Sequence, residues 1–214
     1  MGWRGVGVTV LCAGLGLAAG VALARVTTNE PAVGGTATPV PAASPSYPFD
    51  PPVEVVPDPD DPPLERGLPT HDERIGQGPF VLGLPVPDGW QRTNSNFGEW
   101  KWTPPLGPDG DNDYTYFLRV KLVGNQNLTI AGALQDRIQA VDLASGTEEF
   151  DLESQTPDTF TSTYVLEGHR RLAIERFISV DGTDHAFANI AVVGRLVDRE
   201  GLVDLMGTVT DGVG

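Results

Sequence analysis

The chain has 214 residues, with 29 acidic against 14 basic side chains and a formal net charge of −15. A surface this acidic repels phosphate and offers no basic stripe, which excludes nucleic acid as a partner. The single cysteine, Cys12, excludes an intrachain disulfide, so any folded domain must be held by its own core.

Residues 1–25 read as an N-terminal membrane segment. From Gly5 to Ala24 there is no charged residue, and Arg4 and Arg25 flank the run. Twenty such residues cross a hydrocarbon layer of about 30 Å at about 1.5 Å per residue. Ala22-Leu23-Ala24 also has the form of a signal-peptidase site, so the alternative is a secreted protein cleaved after Ala24. The length of the apolar core favours an uncleaved signal anchor at the cell membrane, N-terminus cytoplasmic and the rest extracytoplasmic. Leu11 stands where a lipobox needs a small residue, which argues against lipidation of Cys12. Gly16 and Gly20 form a GxxxG pair that suits a weak homodimer, although a segment so rich in glycine and alanine produces that spacing readily.

Residues 26–75 read as a disordered linker. Twelve of the 19 prolines lie between Thr27 and Arg74, and nine acids oppose two arginines between Val26 and Ile75, a net of −7. With no apolar periodicity to bury, such a segment is expected to stay extended, between about 40 Å as a coil and about 150 Å in polyproline geometry.

Residues 76–214 are expected to fold as one α+β domain, an antiparallel β-sheet with packed helices. A short apolar strand (Phe80, Val81, Leu82, Leu84) runs into Pro85 and Pro87, which are expected to end its pairing. Asp88-Gly89 then turns the chain and delivers Trp90 to the next strand. Tyr116, Leu118, Val120 and Leu122 alternate with Arg119 and Lys121, the pattern of a half-buried strand. Ile130, Leu134, Ile138 and Val141 then form a helical stripe that Asn127 or Thr129 can cap. Strand character returns at Phe150–Leu152 and Thr159–Leu166, and Gly168-His169 turns the chain. The clearest hairpin is Arg170–Val180 with His185–Leu196, and a last helix capped by Asp198 presents Leu202, Leu205, Met206 and Val209 on one face.

This order of features, from Pro87-Asp88-Gly89-Trp90 through the helix at Ile130–Val141 to the Gly168 hairpin and the C-terminal helix, resembles the PsbP-like fold of actinobacterial LpqN-type cell-envelope proteins. The resemblance covers about Gly76 to Val213. It implies an α/β/α sandwich without catalysis that acts as a binding or accessory domain for an envelope protein or lipid.

No catalytic motif competes with that reading. His71, His169 and His185 lack metal-site spacing, and there is no G-x-S-x-G elbow, Walker loop or G-x-G-x-x-G run. Asp109-Gly110-Asp111-Asn112-Asp113 imitates the start of a calcium loop, but Tyr114 and Val120 stand where an EF-hand needs glycine and glutamate. No cofactor or metal is expected. The binding candidates are Trp90, Trp100 and Trp102, which with Phe97 form an aromatic cluster suited either to a core or to an apolar pocket for a carried ligand.

Overall fold

A computed structural model describes residues 52–105, 116–125, 127–180 and 182–214, with Asn94 and Ser95 described in backbone only. The expected span at 5–24, the Gly16–Gly20 pair, Cys12 and the acidic loop at 109–113 lie outside the described residues. Among the described residues no helix is long and apolar enough to cross a membrane.

The α+β class is met. A hairpin of β1 (Thr70–Gln77) and β2 (Phe80–Pro87) forms a two-stranded sheet of its own. The main sheet is seven-stranded and antiparallel, in the order β3 (Gln91–Asn96), β4 (Glu99–Thr103), β5 (Phe117–Leu122), β9 (Ala188–Gly194), β8 (His169–Ile178), β7 (Thr159–Leu166), β6 (Thr147–Gln155). Helix α1 (Ile130–Asp142) carries the chain from β5 to the far edge at β6, and a meander brings β9 back to pair with β5. Helix α2 (Arg199–Asp211) follows β9 after a single 3-10 turn, Leu196–Asp198.

Local chemistry explains the elements. Thr129 caps α1, its hydroxyl accepting from the Gly132 N–H at 3.1 Å, while Ala133, Leu134 and Val141 are buried. The turn between β7 and β8 has positive φ at both Glu167 (52°) and Gly168 (80°), the geometry that matches the right-handed twist of a tight hairpin. Strand β9 is buried at all seven positions of Ala-Asn-Ile-Ala-Val-Val-Gly, as a strand covered on both faces must be. The loop between β8 and β9 is longer than its Asp-Gly signal suggests. Its residues bond to other elements: the Ala186 N–H donates to the Leu128 carbonyl at 2.9 Å, and the Ile130 N–H to the Asp184 carbonyl at 2.7 Å.

The two faces of the sheet are read directly from strand parity. One face, with Trp102, Leu118, Val120, Leu172, Ile174, Ile190 and Val192, lies under α2 and the β1–β2 hairpin. The opposite face, with Phe160 and Phe177, lies under Ala133 and Leu134 of α1.

Three expectations are corrected. Pro85 and Pro87 do not end strand pairing: β2 continues to Pro87, opposite Thr70. Gly83 shares their parity and exchanges hydrogen bonds with Gly214 (3.0 and 3.1 Å) on the side away from β1. The two proline nitrogens therefore face outward, and no ladder bond is lost.

The second correction concerns the linker. The compact unit spans Pro51–Gly214, not 76–214. The Val56 N–H donates to the Gly168 carbonyl at 2.8 Å, and Asp58 pairs with Arg171 at 2.5 Å. The guanidinium of Arg195 then donates to the carbonyls of Pro59 (3.1 Å), Asp61 (3.0 Å) and Pro62 (2.9 Å). Leu64 is buried against α2, where a Cβ on Gly201 would lie 2.2 Å from the Leu64 carbonyl oxygen. This proline-rich segment is thus a strap bound to the domain. Its extended backbone leaves carbonyls unpaired within the segment, and a buried cation takes them up.

The third correction is Asp198. It sits at the N-cap of α2, yet its side chain makes no cap bond to that helix. Its carboxylate instead accepts from Arg195 Nε (3.0 Å), Arg195 Nη2 (2.9 Å), the Arg195 N–H (2.8 Å) and the Leu64 N–H (2.9 Å). A guanidinium fork in a water-free site is the stronger partner for a carboxylate.

Removing one member of this buried pair strands the other charge. Asp198→Ala is expected to cost about 3–5 kcal/mol in urea unfolding and to speed amide exchange at Leu64. A second ion pair predicts a pH dependence. Arg199 donates twice to Glu153, both at 2.8 Å, and these bonds hold the Glu153 carboxyl below its ordinary range. Its contribution is present at neutral pH and is lost as the pH falls below about 4.3 and through the depressed folded value. Because the pair lies at the surface, Glu153→Gln is expected to cost under ~1 kcal/mol at neutral pH. That difference should vanish in acid-side unfolding curves.

Candidate functional site

The three candidate tryptophans share a region but not a role. Trp100 and Trp102 lie two apart on β4, opposite Val120 and Leu118 of β5, and so face the same side. Trp102 is 1% exposed and packs within the core, and its indole N–H donates to Glu73 Oε2 at 2.8 Å. It is a core residue, which corrects its place among the binding candidates. The polar indole end reached the only kind of partner that permits full burial, a hydrogen-bond acceptor. Trp90 is half-buried, with its ring 5.8 Å from that of Tyr116 and tilted by 30°. Burial pushes the Tyr116 hydroxyl pKa up, with the nearby Asp198 charge adding to the effect.

Of the three, Trp100 lines a groove among the described residues. This cleft of about 350 Å³ runs between the end of the β1–β2 hairpin and the β3–β4 hairpin. Phe80, Trp100 and Leu122 supply apolar walls, and Arg74 and Arg92 stand at its rim. Arg92 is ion-paired with the same Glu73 that receives the Trp102 N–H, so one carboxylate ties the core tryptophan to the rim. Phe97, beside Gly98 (φ 74°) at the tip of the β3–β4 hairpin, is 105% exposed, and Phe80 is 41% exposed.

Phe97 was legible as a member of the aromatic cluster, whereas Phe80, Arg74 and Arg92 were not seen as part of a site. Phe80 sat in an apolar run that looked like strand core, Arg74 sat in the segment read as linker, and Arg92 sat in the strand expected after Trp90. Parity gave no signal for Phe80, which shares the register of the buried Leu82, Leu84 and Val86; it is exposed because it sits at the hairpin end, opposite Gln77.

The histidines do not converge. His71 bonds Asp88 at 2.8 Å, His169 lies 3.2 Å from Asp58, and His185 lies 3.9 Å from Asp184, each in a different part of the domain. Among the described residues no group of three His, Cys, Asp or Glu side chains could hold a metal ion.

The fold and groove define a small α+β domain with an open aromatic cleft at one end of its sheet. No family model matches the chain, and no curated protein matches it. Among solved structures, the crystal structure of the Saccharomyces cerevisiae Ran-binding protein Mog1p is similar, with a TM-score of 0.47 and 10% sequence identity over 68% of this chain and 96% of that one. That likeness concerns the course of the chain and assigns neither partner nor site.

The division between core and rim is testable by unfolding. Trp102→Ala is expected to cost about 3–5 kcal/mol, whereas Phe97→Ala should stay within about 0.5 kcal/mol of the parent.

Proposed function

We propose that this chain is a membrane-tethered extracytoplasmic binding domain of the cell envelope, PsbP-like and of the LpqN type, without catalysis of its own. The observation that carries the binding role is the fully exposed Phe97 beside an apolar groove rimmed by Arg74 and Arg92. An aromatic ring held in water at a hairpin tip contributes nothing to folding, and such rings anchor partners.

A protein partner is favoured over a carried lipid. At about 350 Å³ the groove is near the lower end of ligand cavities and takes one or two apolar side chains rather than a lipid's acyl chains. The two rim arginines suit acidic residues flanking that anchor. The apolar-ligand carrier is the second reading, and Trp100 in the groove wall is the observation that supports it.

A photo-crosslinking amino acid placed at Phe97 in native membranes, read by mass spectrometry, tests the role. A protein adduct absent from a control probe at Gln135 is expected, and the captured protein should lose roughly tenfold or more in affinity for Phe97→Ala, as hot-spot anchors do. Lipid adducts alone would transfer support to the carrier, and adducts no different from the control would end both readings. Anchoring is tested separately: the membrane-extracted protein should show the intact mass of 22.7 kDa, and a mass lacking residues 1–24 would make it a secreted protein.

A further inference from the structure

The face of the sheet beneath α1 is polar at its centre, in contrast to the apolar face beneath α2. Glu175, only 2% exposed, accepts two hydrogen bonds from Arg137 of α1, both at 2.8 Å, and lies 3.5 Å from Arg119. Lys121 is 3.9 Å from Glu99, and Lys101 lies 4.0 Å over the ring of Phe117. Four cations (Lys101, Arg119, Lys121, Arg137) therefore meet two carboxylates (Glu99, Glu175). This surplus is positive in a chain whose net charge is −15. Burial first, and then the neighbouring Arg119 charge, push the Lys101 ammonium pKa down.

Within this face a cavity of about 210 Å³ opens between α1 and the β5–β9 pair. Arg119, Lys121, Arg137 and Asn189 form its polar wall, and Leu128 and Phe177 are on its apolar side. Two of those side chains hold buried donors with no hydrogen-bond partner, Arg119 Nε and Asn189 Nδ2. Asn189 is 5% exposed, so bulk water does not readily satisfy it. A buried donor left unpaired is a standing cost, and an acceptor entering the cavity would remove it.

We propose that this cleft is a second binding site, distinct from the Phe97 groove, that takes a small carboxylate bearing a short apolar tail. An Nε–H and an amide NH₂ supply donors for the two oxygens of a planar carboxylate, with Lys121 close enough to add charge. A phosphate dianion calls for more donors and more uncompensated charge than this wall supplies once Glu175 has taken the Arg137 fork. The size agrees: at water's share of about 30 Å³ the cavity holds roughly seven heavy atoms, the size of a branched five-carbon acid.

Isothermal titration calorimetry on the full chain in detergent, with isovalerate, isovaleramide and inorganic phosphate as probes, tests the site. Saturable binding of isovalerate at millimolar concentration is expected, with isovaleramide weaker by roughly tenfold or more because it lacks the charge. Arg119→Met and Asn189→Leu should each weaken isovalerate by a similar factor. Lys121→Gln, at an exposed position, should weaken it by a few-fold. Asn189→Leu should keep or raise the melting temperature, since it removes an unpaired buried amide. Absence of saturable isovalerate heat, tighter binding of phosphate than of isovalerate, or unchanged affinity in all three variants would each overturn the proposal.

Discussion

The buried pair of Arg195 and Asp198 is the constraint on which the rest of the domain depends. The arginine is 3% exposed and the aspartate 0%, and between them they join the end of β9 to the start of α2 and bind four backbone groups of the strap. A charged pair taken out of water is stable only if nearly every donor and acceptor is used. Here that demand fixes geometry. The Leu64 N–H bonds to Asp198, Leu64 seats on Gly201, and the chain is delivered to β1 in a defined position over the sheet. From there the β1–β2 hairpin covers Trp102, and Glu73 on β1 receives the indole N–H. The groove at Phe97 is therefore built on a chain of contacts that begins with one arginine.

The two faces of the sheet are used differently. Beneath α2 and the hairpin the interior is continuous and apolar, and it supplies the hydrophobic part of the stability. Beneath α1 the interior contains a buried carboxylate shared by two guanidinium groups, and the apolar cluster is small. A buried ionic network contributes less to stability than well-packed apolar residues would. Such a face is worth keeping where it has a further role, and unpaired donors at Arg119 and Asn189 mark where that role lies. Tyr164 belongs to the same environment: burial, with the Glu175 charge adding to it, pushes its hydroxyl pKa up.

Periodicity made most of the domain legible. The stripe Leu134 and Val141, the cap at Thr129, the strand Thr159–Leu166 and the apolar face of α2 all stand where the pattern placed them. These elements are local: hydrophobic spacing and cap chemistry act within a few residues. The strap and the extended β2 were not legible. Residues 52–69 have almost no apolar pattern, and their ordering comes from a guanidinium more than a hundred residues away in the chain. Pro85 and Pro87 were misread because their effect depends on which side of β2 is paired, and pairing is a tertiary fact.

The candidate site shows the same division. That Trp90, Phe97, Trp100 and Trp102 cluster is written in the sequence, and so is the shared face of Trp100 and Trp102. Which ring is core and which is wall was decided by Glu73, contributed by a segment that composition alone reads as linker. The class of the domain, its acidic surface and the order of its elements follow from local pattern and charge, because those act between neighbours in the chain. The reach of the folded unit, the sorting of the aromatic residues and the cationic cleft under α1 depend on groups that only folding brings together.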